Sequence, residues 1–288
     1  MSILIPRKSK PPTSNPSGDS YTLNYQNPLT VGLSEVLIPT AEGLQGVKHD
    51  EFYSESSGNI KAKVGDHGYC VYSDTQHPDE IRLDSADQTT GTWQEPTNQV
   101  TVVVALKRTG AAAGNAPIFG NQAPSTAPFN SYNIVDISGA GNLAFEFATT
   151  VNGAKIITDT SGISDNKHHV CIGRYDGANG ELFNNGVSVG TIAATGDIDY
   201  FSSTARGPAV GNYFDFSGSR SFVGEIYLCA LYSRALSDDE VLSISENPYQ
   251  ILKPRRKYWV LPSEAALNNN RISAMHFQRH YEPIAMGD

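Results

Sequence analysis

"HHVCIGRYDGANGELFNNGVSVGTI", His168 to Ile192, decides how the chain folds. Val170 to Ile172 form an apolar run closed by Tyr175, and "GELF" and "VSVGTI" are two further runs rich in residues that suit a pleated surface. Asn185-Gly186 separates the last two, and this dipeptide is favoured in the type I′ turn that joins neighbouring antiparallel strands. Upstream, "YNIVDIS" and "NLAFEFAT" flank "GAG" and read as another hairpin, with Leu143, Phe145 and Phe147 on one face. "VTVVVAL" sets Val100, Val102, Val104 and Leu106 on one face by the two-residue period. "SEVLIP" (Ser34–Pro39) and "EIRLD" (Glu80–Asp84) are shorter strands, and "SFVGEIYLCALYS" (Ser221–Ser233) is the last strong one. Many short strands with regular turns and no βαβ alternation predict an all-β antiparallel sandwich or barrel.

One helix is expected behind them. In "LYSRALSDDEVLSISENPYQILKP" (Leu231–Pro254), Ser237 and Glu240 have capping-box spacing, and Leu236 and Val241 occupy the two positions of a hydrophobic staple. Asp238 and Asp239 place negative charge in the first turn, where the helix dipole favours it. Asn247-Pro248 ends the helix, because the residue before proline is pushed out of the α region.

Charge is uneven along the 288 residues. The net charge is −9, yet residues 1–28 carry +2 and residues 253–288 carry +3, which leaves −14 for the middle. An acidic body argues against nucleic acid as a partner. Basic ends suit docking on acidic neighbours, copies of the same body included. Residues 1–28 ("PRKSKPPTSNPSGDS" at their centre) have the composition of an arm, with Arg7, Lys8 and Lys10 as its docking cations. Residues 255–288 form a second extension. Its Arg255, Arg256, Lys257, Tyr258, Trp259, Phe277 and Tyr281 mix cations with aromatic anchors and are expected to strap the domain to another protein. The domain proper is expected at 29–254. No apolar run approaches the ~18 residues of a membrane span. The apolar patch Ile3–Ile5 is too short for a signal peptide, so synthesis in a cytoplasm is expected, with no membrane partner. Cys70, Cys171 and Cys229 are odd in number and lack C-x-x-C spacing, and they read as buried small hydrophobes.

The order of these motifs resembles the LamG-like (laminin G, concanavalin A-like) jelly-roll family. That family has a strand of type H-H-V-x-V-x-Y-D-G, an N-G hairpin and a closing R-A-L-S-D-E-E. His168, His169, Val170, Tyr175, Asp176, Gly177, Asn185, Gly186, Gly224, Arg234, Ala235, Leu236, Ser237, Asp238 and Glu240 occupy the matching positions. The resemblance implies a jelly-roll β-sandwich over about 29–254, with the short helix closing one open end. The chain departs from the family at Glu225–Cys229, where "EIYLC" stands in place of a polar surface segment, which implies that something covers it. The opening "GLSEVLIPTAEGL" and the exit "NPYQILKPRRKYW" also resemble LamG-like virion proteins of tailed bacteriophages.

No catalytic constellation emerges. Glucanases on this fold use E-x-D-x-x-E to supply nucleophile and acid, whereas "DEIRLD" puts Arg82 at the central carboxylate's place. "GAGNLA" fits a dinucleotide loop formally, but a strand follows it where a helix is needed. His168 and His169 are neighbours in a strand and point to opposite faces. His276 and His280 have zinc-pair spacing, with Phe277 where the motif needs Glu. LamG-like domains bind calcium and sugars through rim loops. The candidate calcium ligands are Asp176, Asp197, Asp199 and Asp215, in no diagnostic spacing; no other cofactor is expected.

The expectation is therefore a non-enzymatic bacteriophage virion protein, a capsid decoration or tail component laced to other virion proteins and to copies of itself. The alternative is a lectin-like module binding a surface glycan; a glycoside hydrolase comes third.

Overall fold

Val100–Leu106 lies at the heart of a long strip of antiparallel strands in a computed structural model. The structure describes residues 21–41, 43–49, 52–55, 60–75, 81–83, 94–112, 114–122, 127–137, 141–163, 165–200, 207–212 and 220–254. In chain order the strands are β1 (Tyr21–Leu23), β2 (Leu33–Thr40), β3 (Gly43–Gly46), β4 (Phe52–Glu55), β5 (Lys61–Gly65) and β6 (Gly68–Ser73). There follow β7 (Ile81–Leu83), β8 (Val100–Arg108), β9 (Ala116–Gln122), β10 (Asn130–Ile137), β11 (Asn142–Thr149) and β12 (Gly153–Asp159). The last are β13 (His168–Tyr175), β14 (Asn179–Asn184), β15 (Val187–Ala193), β16 (Gly207–Val210) and β17 (Gly224–Tyr232), then the helix α1 (Asp238–Glu246) and β18 (Leu252–Pro254).

The strip runs β12-β11-β10-β9-β16-β7-β4-β3-β2-β17-β8-β13-β14-β15, with the β5–β6 hairpin joined to the start of β17. It folds back on itself into two layers. Phe145 and Phe147 of β11 lie against Gly173 of β13 and Gly180 of β14, where a Cβ would stand only 2.2 and 2.3 Å from their rings. Those two glycines make room for large aromatic rings. Val100, Val102, Val104 and Leu106 face inward with Leu143, Phe145 and Phe147, as their alternation requires. The Asn185-Gly186 turn has φ of 51° and 79°, the left-handed pair that a type I′ hairpin needs. Cys70, Cys171 and Cys229 are buried and free.

The outer face of the β13–β8–β17–β2 layer carries a third layer. Val103, Ala105, Val170, Ile172, Leu228 and Ala230 point away from the sandwich interior and are buried under Leu236, Val241 and Ile244 of the helical segment and under Leu23, Tyr249 and Leu252. The helix therefore lies on a sheet face, where the expectation was an open end of the jelly roll. An apolar outer face demands such a cover, because exposing it would forgo roughly 25 cal/mol per Å² of burial. The capping box forms as expected: Glu240 N–H donates to Ser237 Oγ at 3.3 Å and Ser237 N–H to Glu240 Oε2 at 2.8 Å. Arg234 grips the same carboxylate with two N–H donors at 2.7 Å each, which explains the wider "RALSDDE" motif.

β1 pairs with β18, Tyr21 opposite Pro254, and lies within the segment read from sequence as an arm. The departure at Glu225–Cys229 is buried throughout, and the β5–β6 hairpin is part of what covers it. Lys63 Nζ bonds Glu225 at 2.7 Å, and His67 meets the edge of Tyr227 at 5.6 Å.

Candidate functional site

At one rim of the sandwich an open cleft of about 520 Å³ is lined by Ala127, Pro128, Phe129, Gly153, Ala154, Asp199 and Tyr200. Three separate elements build it. Phe129 stands just before β10, Gly153 and Ala154 open β12, and Asp199-Tyr200 follow β15. Long-range hydrogen bonds fix the floor: Thr150 N–H donates to Asp197 O at 2.9 Å, Asp199 N–H to Ala148 O at 2.9 Å, and Ile198 N–H to Thr97 O at 2.7 Å. Asn152 Oδ1 accepts from Thr195 N–H at 2.6 Å, tying the β11–β12 turn to the same segment. Tyr200 donates its hydroxyl to Pro96 O at 2.8 Å and meets Tyr132 edge-on, so its ring is held in place.

Phe129 is the unusual residue. Its φ is 66°, and its side chain is 48% exposed. A bulky residue in the left-handed region costs on the order of 1–3 kcal/mol, and such outliers cluster at binding and catalytic sites. Val151 and Ile156, on the hairpin that carries Gly153, are 66% and 47% exposed. Beside the rim, Asn130 Nδ2 donates to Glu146 Oε2 at 2.5 Å, and burial raises the Glu146 carboxyl against that hydrogen bond. Asn130 Oδ1 and the buried Ser131 hydroxyl have no hydrogen-bond partner.

Three of the four acidic residues singled out from sequence are among the described residues. Asp176 Oδ1 accepts from Ala178 and Asn179 N–H at 2.8 and 2.6 Å and so caps its own turn. Asp199 lines the cleft, and Asp215 lies outside the described residues. Among the described residues no three His, Cys, Asp or Glu side chains stand together as metal ligands. Arg7, Lys8, Lys10, Arg255, Arg256, Lys257, Tyr258, Trp259, Phe277 and Tyr281 also lie outside the described residues. Sequence reading missed Phe129 and Tyr200, which are 71 positions apart and share no local pattern.

Residues 64–242 match the Laminin_G_3 family, the concanavalin A-like lectin/glucanases superfamily. No curated protein matches the chain in sequence. Among solved structures, the binding domain of Paraclostridial Mosquitocidal Protein 1 is 12% identical with a TM-score of 0.56, over 75% of this chain and 52% of that one. Domain 4 of AbnA, a GH43 extracellular arabinanase from Geobacillus stearothermophilus, in complex with arabinotriose, is 17% identical with a TM-score of 0.52, over 74% of this chain and 98% of that one. Trypanosoma rangeli sialidase in complex with sialic acid is 14% identical with a TM-score of 0.54, over 75% of this chain and 33% of that one. The chain thus spans about half of the first and a third of the sialidase, and at these identities the likeness is one of fold. With its family match covering most of the chain, and its antiparallel sandwich in agreement, the protein belongs to the concanavalin A-like lectin/glucanases superfamily.

Proposed function

We propose that this domain is a non-enzymatic carbohydrate-binding module whose sugar sits in the Phe129 cleft. The observation that carries the reading is Phe129 itself, an aromatic ring held outward in a costly backbone conformation beside a second, anchored ring. A sugar ring has apolar C–H faces and a polar rim, so it can lie on aromatic surface while its hydroxyls reach polar groups. A structure of similar fold, the arabinanase domain, was solved with an oligosaccharide, which supports the class of ligand.

Phe129→Gly tests this directly. Glycine adopts positive φ without penalty, so the variant should unfold at the same temperature as the parent or slightly above it. Its affinity for an oligosaccharide bound by the parent should fall about tenfold or more, the scale of losing an aromatic anchor. Loss of stability with unchanged binding would make Phe129 a packing residue and remove the basis for the cleft.

One observation favours a second, compatible reading, that of a bacteriophage virion component held by its ends. Because Tyr21 stands opposite Pro254, the two basic terminal segments join the described body side by side. They could then engage one acidic neighbour together, such as another copy of this body. On this reading the full chain is a trimer or larger by light scattering and a fragment of residues 21–254 is a monomer. Equal oligomeric states for the two would remove it.

A further inference from the structure

We infer that the Phe129 cleft selects an uncharged, hydroxyl-rich sugar over its sialylated or uronate-bearing counterparts, with Asp199 as the residue that sets the preference. The inference rests on the carbohydrate reading above and extends it from the class of ligand to the ligand's charge.

Asp199 is the ionisable carboxyl group among the described lining residues, and no arginine, lysine or histidine stands among them. Its backbone N–H is committed to Ala148 O. Its half-buried carboxylate has no hydrogen-bond or ion-pair partner. A carboxylate accepts hydrogen bonds and donates none. One that has lost part of its water shell therefore gains from donors brought by a ligand. Sugar hydroxyls are such donors.

A sugar carboxylate is not. It would bring a second negative charge toward Asp199 with no cation among the described lining residues to offset it, on a chain that carries −9 overall. Two like charges a few ångströms apart near a protein surface weaken binding by at least about fivefold. The aromatic walls do not share this preference. Phe129 and Tyr200 present apolar rings, and the Tyr200 hydroxyl is already spent on Pro96 O, so they grip a ring face whatever the charge elsewhere on the sugar. Affinity and selectivity thus fall to different residues. The expected ligand differs in charge from the sialic acid bound by the sialidase of similar fold.

The test uses the full-length chain on an immobilised oligosaccharide panel in which each neutral member stands beside its sialylated and uronate-bearing forms. Asp199→Asn and Phe129→Gly are run in parallel, and thermal unfolding checks that each variant is folded. The parent should bind neutral members at least about fivefold more tightly than their acidic forms at low salt, and added salt should narrow the gap. Asp199→Asn should shrink the neutral-to-acidic ratio toward one. Acidic members bound as tightly as neutral ones, with binding still lost in Phe129→Gly, would overturn the selectivity and leave the carbohydrate reading standing. An unchanged ratio in Asp199→Asn would overturn the role of Asp199. If no member of either class binds, the carbohydrate reading falls and this inference falls with it.

Discussion

Replacing Arg108 with methionine is expected to lower the stability of the domain by about 3–5 kcal/mol, the cost of leaving one partner of a buried ion pair behind. Arg108 ends β8, and its Nε–H donates to Asp136 Oδ2 at 2.9 Å. Both side chains are nearly inaccessible, 6% and 1% exposed, while Asp165, the second carboxylate on the guanidinium, is 53% exposed. Asp136 also accepts from Gly141 N–H at 3.0 Å and thereby fixes the start of β11. Burial holds the Asp136 carboxyl above its ordinary range even with Arg108 beside it, so removing the cation leaves a charge with one remaining donor. For a domain of this size the loss corresponds to about 10 °C or more in Tm.

The pairing can be separated from mere packing by a second variant. Asp136→Asn keeps an acceptor for Gly141 N–H and removes the charge, so Arg108→Met with Asp136→Asn should be more stable than Arg108→Met alone. The deficit of the single variant should also shrink in acid. A carboxyl whose folded pKa is raised favours the folded state at low pH and loses that contribution as pH rises through its folded value. Strictly additive losses in the double variant, measured by denaturant unfolding, would show that the charge pair is not the cause.

What the sequence disclosed follows from the range of each signal. Strand alternation, the Asn185-Gly186 turn and the Ser237–Glu240 box act within a few residues, and each appears in the structure as read. The covered outer face was also written in "VTVVVAL". A strand with one wet face alternates, whereas this one is apolar on both sides at Val102 and Val103, the mark of a strand buried twice. Reading the helix as an end plug overlooked that second face. Phe129 with Tyr200, and Arg108 with Asp136, were beyond any local reading. Arg108 and Asp136 lie on strands that do not pair with each other, and Phe129 and Tyr200 lie outside the named strands, so both meetings depend on how the whole strip folds. "EIYLC" lies between these cases. Its apolar character announced a cover, but only the fold shows Lys63 and His67 among the residues that supply it.

That cover carries the second large effect, which is a dependence on pH. His168 lies on the outer sheet face in a ring cluster, 4.1 Å from the His67 centroid and 5.6 Å from that of Tyr227, and its Nε2 is buried with no partner. Burial, with the nearby His67 and His169, pushes its pKa down to about 4 from 6.5. Near it, Lys63 and Lys107 are spent on Glu225, and Lys107 also on Asp66, so the cluster offers the imidazolium no free counter-charge. The unfolded chain therefore takes up a proton near pH 6.5, and the folded protein resists it until about pH 4. Stability from this group is complete above pH 6.5 and drains away as pH falls through that window, by about 2–3 kcal/mol, or roughly 5–10 °C in Tm. His168→Phe keeps a ring in the stack and removes the titration. Thermal unfolding of parent and variant should give similar values at pH 7.5 and diverge toward pH 4.5, the variant unfolding later. Parallel curves across that range would mean that His168 titrates as it does in the unfolded chain, and that acid sensitivity, if present, comes from the carboxylates the two proteins share.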